Sequence, residues 1–469
     1  MADEYDEPDD VDEPDDVDDW EDVGDEELDT DEPAGLDLQI GDPEVPPVVA
    51  ELPDGSGSLV LTGPGAGTVV LANSAETPAG TTTTAMGIRT RDQALNGSNP
   101  LMLVHFPHQN RESIPRLLAS VAAATGGAVS VVTVVSLPRA TAAANAGWLD
   151  GCPAASVRIA DPLGYLLDPG IVRTKAISAR ARRWMPYLDN DPIDVGEVMQ
   201  AQRDVGANLL LSPGRALDPM NAQPALDAAF AEADTALADL ATSERLALNL
   251  TLPGHWLSND TLREALLGQL LDQEQFAVWY IRVQWPASLR AVHQPLDVKL
   301  LQGYKRLAQL ALDEERTLLL PQTGLTGWLQ LAFGATGFGA GPFGSGQAFK
   351  EEAQGGGGGQ QPIERYFEPS LLHSVERTVH DVLRRQATYI PCACPYCPAL
   401  HSNSNWNHEL ARLHHLHSMG RLAGVGAATS RPTAAAIRRT VRSAAREAAA
   451  QPLAGISVPQ HLPVWDLLL

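Results

Sequence analysis

Eight short apolar runs, separated by longer amphipathic stretches, constrain the fold of this chain more than any other feature. The runs lie at residues 101–106, 129–135, 156–160, 208–211, 246–250, 276–283, 317–320 and 335–338. Helical patterns lie between them at residues 112–124, 140–149, 195–205, 224–241, 261–271, 298–312 and 325–333. Near-continuous apolar strands that alternate with helices are typical of a parallel sheet. Eight strands within about 240 residues are the size of a barrel, so we predict an α/β fold of the (β/α)8 TIM-barrel type, with a doubly wound open sheet as the alternative.

Nearly all of the net negative charge of the chain lies in its N-terminal part. The formal net charge is −26, but residues 1–54 hold 25 of the 59 acidic residues and no Lys or Arg. The remaining residues therefore carry 34 acidic and 33 basic side chains and are nearly neutral. Dense like charge with few apolar residues predicts a disordered, solubilising tail. A tail that mimics nucleic acid is the alternative function for it.

Three of the four cysteines lie close together, at Cys392, Cys394 and Cys397, and the histidine-rich segment 414–417 follows them. Thiolates and imidazoles are the ligands of tetrahedral zinc, and four of them make a closed structural site. A disulfide would leave an odd thiol and would need an oxidising compartment. We therefore predict one structural Zn²⁺, with Cys152 as a free thiol outside the site.

The cysteines lie in a long insertion after the eighth strand. Residues 341–346 and 355–359 are glycine-rich, which is typical of loops, and residues 371–386 show an amphipathic helical pattern. The eighth helix is predicted late, at 433–449. The resulting domains are an acidic tail (1–54), a Gly/Thr-rich linker with short strands at 59–61 and 69–71 (55–99), the barrel (100–340), the zinc-binding insertion (341–430) and a last helix with a C-terminal tail (431–469).

The sequence predicts no membrane association. No apolar run is long enough to cross a bilayer, and the acidic N-terminus resembles neither a signal peptide nor a transit peptide. We therefore expect a cytoplasmic protein with reduced cysteines. A homodimer is one assembly state that the sequence leaves open.

The zinc motif, in a barrel of this kind, resembles that of the tRNA-guanine transglycosylase superfamily, which includes archaeal-type tRNA enzymes and DNA-modifying relatives. Residues 391–397 resemble the archaeal-type zinc knuckle, and residues 412–418 resemble the helix that supplies the fourth ligand. The resemblance implies His417 as that ligand. His414 is the main alternative because it lies one helical turn earlier, and His415 is a third candidate. Members of the superfamily exchange guanine in a nucleic acid for a 7-deazaguanine through a glycosyl-aspartate intermediate.

The resemblance extends to the expected active site only in part. Residues 159–165 are similar to the loop that carries the acid/base aspartate, which implies this role for Asp161, although an aspartate that caps the turn before Pro162 is an equal alternative. Gly339 occupies the place of the nucleophilic aspartate, and no carboxylate lies between residues 322 and 350. Gly214 occupies the place of the aspartate that recognises the base. Glycine cannot form a glycosyl ester.

Three functions follow as hypotheses. The first is a barrel that binds guanine-containing tRNA or DNA without base exchange. Substrate would contact Gly337, Gly339, Gly341, His105 and Arg282, and phosphates would contact Arg173, Lys175, Arg180, Arg182, Arg183, Arg438, Arg439, Arg442 and Arg446. The second is an active transglycosylase that uses a different carboxylate. The third is an unrelated small-ligand enzyme with a pocket at Thr323, Gly324 and Trp328.

Overall fold

Eight parallel strands form a nearly closed barrel with helices between them, which confirms the predicted fold class. The computed structural model describes residues 48–51, 58–61 and 89–469, except 107–110, 175–178, 290–292, 343, 353–362, 403–404 and 426–433. The barrel strands are β1 (Leu101–His105), β2 (Ser130–Ser136), β3 (Val157–Asp161), β4 (Leu210–Leu211), β5 (Leu246–Pro253), β6 (Val278–Gln284), β7 (Thr317–Leu320) and β8 (Gly337–Ala340).

The barrel closes by pairing its first strand with its last. Leu101 of β1 lies opposite Gly337 of β8 in a parallel ladder, and β8 also pairs with β7. The weakest seam lies between β3 and β4, where one isolated bridge joins Ile159 to Leu209. The side chain of Asn208 strengthens this seam by accepting a hydrogen bond of 2.8 Å from the backbone N–H of Arg158.

Alternate residues of the strands fill the barrel interior, because successive side chains of a strand point to opposite faces. The interior contains a closed apolar cluster that includes Leu103, Val134, Ile159, Tyr280 and Leu319. The opposite strand faces pack against the helices in a second, larger cluster. The interior is therefore a packed core with polar residues at its two ends, such as Ser130 and Thr317 at the amino ends of β2 and β7 and Asp161 at the carboxyl end of β3.

The helices of the described residues follow the predicted order, except at the eighth position. They are α1 (Arg91–Leu95), α2 (Ile114–Ala124), α3 (Ala142–Asp150), α4 (Ala179–Trp184), α5 (Val195–Asp204), α6 (Ala222–Ala238), α7 (His255–Ser258), α8 (Asp260–Asp272), α9 (Val298–Asp313), α10 (Gly324–Gln330), α11 (Gly344–Gln347), α12 (Arg377–Arg384), α13 (Cys397–Ser402), α14 (His408–Gly424), α15 (Ala434–Ala450) and α16 (His461–Leu468). Side-chain caps begin several of them, for example Asp194 at α5 and Asn407 at α14.

The helix that packs beside β1 is α14, not the later helix predicted at 433–449. A Cβ atom at Gly420 of α14 would lie 2.4 Å from Val121 of α2 and 3.3 Å from the sulfur of Met102 in β1. The indole of Trp328 in α10 donates a hydrogen bond of 3.1 Å to the carbonyl of Leu422. Helix α15 instead packs against α16 and the turn Leu331–Phe333. The eighth-helix position is therefore filled by the helix that also carries the histidine-rich segment.

Gly420→Ala should destabilise the protein because α14 and α2 approach too closely for a side chain. We expect the free energy of unfolding to fall by about 1–3 kcal/mol, as is usual for overpacking, in urea denaturation followed by circular dichroism. Gly268→Ala is the matched control, since a Cβ atom there meets nothing within 4 Å and the residue lies inside α8. Equal stability of the two variants would contradict the packing of α14 on α2.

The insertion after β8 contains a hairpin that the helical pattern at 371–386 did not predict. Strands β9 (Arg365–Glu368) and β10 (His373–Glu376) pair antiparallel, and α12 begins only at Arg377. Burial alternates along β10, as in a strand with one covered face. The five consecutive glycines lie outside the described residues.

A second two-stranded pair lies in the N-terminal part of the chain. Val48–Glu51 pairs antiparallel with Ser58–Leu61. The strand predicted at 59–61 is therefore present, but it pairs with a segment inside the predicted acidic tail. The strand predicted at 69–71 and the rest of the tail lie outside the described residues. No helix in the described part of the chain is both long and apolar enough to cross a membrane.

Candidate metal centre and barrel mouth

Three cysteine sulfurs and one imidazole nitrogen meet in the insertion. The ligand atoms of Cys392, Cys394, Cys397 and His414 all lie within 4.8 Å of one another. His414 Nδ1 is 3.3 Å from the sulfurs of Cys394 and Cys397 and 3.7 Å from the sulfur of Cys392. In a tetrahedral zinc site these edges are about 3.5–3.8 Å, given Zn–S and Zn–N bonds of roughly 2.3 and 2.0–2.1 Å. The four residues therefore fit a closed tetrahedral metal site.

Neighbouring groups hold these ligands in place. His414 Nε2 donates to the carbonyl of Phe367 in β9 at 2.7 Å, which leaves the lone pair of Nδ1 directed at the sulfurs. Such a partner fixes the tautomer and the ring orientation of a metal-binding histidine. The hydroxyl of Tyr366 lies 3.2 Å from the sulfur of Cys397, and its ring stacks on His414. The hairpin β9–β10 is thus the support of the metal site.

His414, rather than the predicted His417, lies against the cysteines. His417 is three residues further along α14, and its Nδ1 lies 3.1 Å from the hydroxyl of Ser120 in α2. Burial lowers the pKa of His417 to about 4, so that ring is neutral at pH 7. His415 is buried against Phe367 and lies outside the cluster. Cys152 is also outside it, in the main core, as predicted, and burial raises its pKa to about 11.

A buried ion pair occupies the barrel mouth. Asp161, the last residue of β3, is 1 % exposed, and its carboxylate binds the guanidinium of Arg282 from β6. One carboxylate oxygen also accepts a hydrogen bond of 3.3 Å from Tyr280, and the other accepts one of 3.0 Å from the N–H of Leu163. Arg282 donates further to Gln322 and Thr251. The structure therefore brings Asp161 and Arg282, both named from the sequence, into contact near the carboxyl ends of β3 and β6.

Two loops cover this ion pair. Tyr165, from the loop after β3, makes an edge-to-face contact of 4.9 Å with Phe349, from the segment after β8. Both rings lie over the guanidinium of Arg282, at 4.9 Å and 5.7 Å from its central carbon. The two aromatic residues are buried together with Leu163 and Val172. The carboxylate of Asp161 is consequently shielded from solvent and from any large substrate.

The expected nucleophile position is filled by neighbouring atoms. A Cβ atom at Gly339 would lie 2.6 Å from the backbone nitrogen of Gln322 and 2.8 Å from His105 Nε2. His105 is buried, its Nε2 has no hydrogen-bond partner among the described residues, and burial lowers its pKa to about 3. A neutral imidazole thus lies where a carboxylate side chain would project.

The other glycines named for the expected active site, Gly337 and Gly341 for substrate contacts and Gly214 in place of a base-recognising aspartate, are engaged in packing. A Cβ atom at Gly337 would meet Leu101 at 2.8 Å, and one at Gly341 would meet the Cα atom of Gly346 at 2.6 Å. Gly214 has a φ of +75°, and a Cβ atom there would lie 2.1 Å from the side-chain nitrogen of Asn249. The space beside each of these glycines is therefore already occupied by other atoms of the chain.

The two predicted basic stretches differ in their surroundings. In the first, Arg173 pairs with Glu351 at 3.1 Å and Arg182 with Asp189 at 2.6 Å, while Lys175 and the side chain of Arg180 lie outside the described residues. In the second, helix α15 forms one wall of a shallow groove of about 840 Å³. The groove is lined by Arg439, Thr440, Arg442, Ser443, Ala445, Arg446, Ala449 and Asp466.

The pocket suggested at Thr323, Gly324 and Trp328 is part of the core. Trp328 is fully buried and packs near Trp465. The hydroxyl of Thr323 donates to the carbonyl of Leu320 at 2.7 Å. Sequence reasoning missed the supporting residues Tyr366 and Phe367, although an aromatic pair ahead of Pro369 was a signal for them. Comparison with family models and with curated protein sequences finds no match for this chain.

Proposed function

We propose that this protein is a transglycosylase-like barrel that binds guanine-containing nucleic acid without exchanging its bases, and that structural zinc keeps its insertion folded. One observation carries the proposal: position 339 has no room for a nucleophilic side chain, since His105 and the backbone of Gln322 lie within 2.8 Å of a Cβ atom there. The transglycosylase comparison itself rests on the sequence resemblance at residues 391–397 and 159–165.

Base exchange requires two available groups, namely a carboxylate that attacks the sugar carbon and an acid or base near the leaving base. Asp161 is the one carboxylate in the mouth for which the sequence offers such a role. Both of its oxygens accept hydrogen bonds, and its charge is balanced by Arg282. A carboxylate held in this way supports the barrel structure and is unsuited to covalent attack.

The groove on α15 supports binding of a phosphate backbone. Helix α15 carries four arginines and one acidic residue, Glu447. Arg439, Arg442 and Arg446 are exposed, and Arg442 is linked to Asp466 at 2.6 Å. Phosphate contacts of this type provide affinity without reading sequence. The bound zinc would act at a distance from this groove, by holding β9, α13 and α14 together.

A binding and exchange assay tests the proposal. The zinc-loaded full-length protein is titrated against fluorescent tRNA and duplex DNA at several salt concentrations, and in parallel with tRNA carrying labelled guanine. We expect binding that weakens with salt, no release of labelled guanine and no adduct that survives SDS. Guanine exchange would favour the active-transglycosylase hypothesis, and absence of any binding would contradict the proposal.

Replacing Arg439, Arg442 and Arg446 together with glutamine should weaken binding of all nucleic acids alike. Each lost phosphate contact should reduce the slope of log affinity against log salt by about 0.9 for duplex DNA. Arg306→Gln on α9 is the control, because that arginine is also exposed and lies on another helix. An unchanged slope in the triple variant would exclude α15 as the phosphate-binding helix.

A further inference from the structure

A cluster of histidine rings anchors α16, the helix that carries Asp466 beside the α15 groove. The ring of His461 in α16 lies 5.6 Å, centroid to centroid, from that of His373 in β10. His293, from the loop after β6, lies 6.2 Å from His373, and Trp465 of α16 packs on His461 at 4.4 Å. His373 and His461 are 1 % and 2 % exposed. Three histidines from distant parts of the chain therefore meet where α16 docks.

Each of the two buried imidazoles uses one nitrogen and leaves the other without a partner. His373 Nε2 lies 2.7 Å from the carbonyl oxygen of Ile456, and because a carbonyl only accepts, this nitrogen carries the ring hydrogen. His461 is hydrogen-bonded to the backbone of Leu372. Nδ1 of His373 and Nε2 of His461 have no hydrogen-bond partner among the described residues. A proton added to either ring therefore arrives at a nitrogen that faces no acceptor.

The charged groups that act on these two rings repel an added proton. Burial is the largest cause in each case: it lowers the pKa of His373 to about 4 and the pKa of His461 well below its ordinary value. His293 acts on both rings in the same direction, and Arg365 of β9 does so on His373. Both rings are therefore neutral at pH 7 while α16 is docked.

The carboxylates on the surrounding elements are engaged elsewhere. Glu368, which lies opposite His373 in the β9–β10 ladder, accepts hydrogen bonds from Ser370, His380 and Tyr389. The others are Asp297, which caps α9, Glu376, which lies opposite Arg365, and Asp466, which pairs with Arg442. Within the described part of the chain, no carboxylate bonds to His373 or His461. The docked state thus offers no counter-charge to a protonated ring.

We propose that His373 and His461 form an acid-sensitive latch, which holds α16 in place at neutral pH and releases it in mild acid. An exposed histidine has a pKa of about 6.5, so the released rings take up protons below that pH, whereas the docked rings stay neutral. Docking is therefore fully stable above about pH 6.5 and weakens as the pH falls below it, since the released state then binds more protons.

The latch would regulate the groove on α15, and this consequence rests on the proposed function. Asp466 of α16 lines the groove and pairs with Arg442 at 2.6 Å. When α16 is released, a carboxylate leaves the groove and Arg442 becomes available to a phosphate. Nucleic acid should therefore bind more tightly in mild acid than at neutral pH.

Hydrogen exchange followed by mass spectrometry tests the latch in the zinc-loaded full-length protein between pH 7.5 and 5.5. Protection factors of the α16 amides, corrected for intrinsic exchange at each pH, give the opening equilibrium of the helix. Each histidine should raise that equilibrium about 10-fold over this range, and the two together about 100-fold, because each released ring gains one proton. The amides of β5 should keep their protection. Zinc is measured at each pH, and samples that hold one zinc per chain are compared.

Neutral replacements separate the latch from other effects of acid. The double variant His373→Gln with His461→Gln cannot take up these protons, so opening of α16 should not change with pH. Each single variant should keep a response of about 10-fold, and the single variants decide if the double variant releases α16 at every pH. His105→Gln is the matched control, because His105 is also buried with a lowered pKa but lies at the barrel mouth. It should respond as the wild type does.

The outcomes for the latch and for the proposed function differ. Constant protection of α16 in the wild type, or an equal pH response in both single variants and the wild type, would exclude the latch. Fluorescence anisotropy with duplex DNA should show a slope of log affinity against log salt that is steeper by about 0.9 at pH 5.5 in the wild type than in the double variant. If no DNA binds at either pH, the proposed function fails while hydrogen exchange still decides the latch. If α16 opens and the slope stays the same, control of the groove is excluded.

Discussion

His414→Ala should abolish zinc binding, whereas His417→Ala should leave one zinc per chain. The reason is geometric: His414 Nδ1 lies 3.3 Å from two of the sulfurs, and His417 Nδ1 contacts Ser120 instead. Because structural zinc sites form together with the fold around them, loss of the metal should be costly. Zinc-finger peptides gain about 10–16 kcal/mol from the metal. Metal analysis after purification without chelator, together with thermal melting, measures both effects.

Two further variants complete this experiment. Cys394→Ser should behave like His414→Ala, since it also removes one of the four ligands. Cys152→Ser should keep the zinc, because Cys152 lies in the main core away from the cluster. Zinc retained by His414→Ala and lost from His417→Ala would show that α14 is rotated about its axis relative to the structure.

Arg282→Met should lower the free energy of unfolding by about 3–5 kcal/mol, because it leaves the carboxylate of Asp161 buried without its partner. Arg282 is 0 % exposed and Asp161 is 1 % exposed, so water cannot replace the lost contacts without a rearrangement of the mouth. Urea denaturation at pH 7, followed by tryptophan fluorescence, gives the free energy directly.

The control for the ion pair is Arg442→Met, which removes an exposed partner of Asp466 and should cost about 0–1 kcal/mol. The double variant Arg282→Met with Asp161→Leu should regain part of the lost stability, since no unpaired charge remains. If Arg282→Met alone were nearly neutral, Asp161 would have to be reachable by water, and the proposal that it takes no part in catalysis would lose its support.

The sequence predicted the barrel strands well and their ends less well. The run at 246–250 underestimates β5, which continues to Pro253, and the run at 156–160 stops one residue short of Asp161. Both strands continue into the polar layer of the mouth, where side chains form hydrogen bonds instead of an apolar core. A pattern based on apolar residues therefore ends before the strand does.

The choice between His414 and His417 illustrates what a sequence leaves undetermined. The two residues are one helical turn apart, so both lie on one face of α14. The rotation of α14 is set by contacts far away in the chain, such as Gly420 against Val121 and Phe367 against His414. Likewise, the pairing of Asp161 with Arg282 depends on the closure of the barrel, which brings β3 and β6 across from each other.

The position of α14 has a consequence for biosynthesis. A ribosome releases β1 and α2 long before it releases β8 and α14, yet Leu101 pairs with Gly337 and Val121 packs on Gly420. The N-terminal strands must therefore wait, with one edge and one apolar face uncovered, until the cysteine knuckle and α14 have been synthesised. Such late, non-local closure makes folding slow and leaves the nascent chain prone to aggregation. We therefore expect the supply of metal, once residues 392–424 have been synthesised, to affect the yield of folded protein.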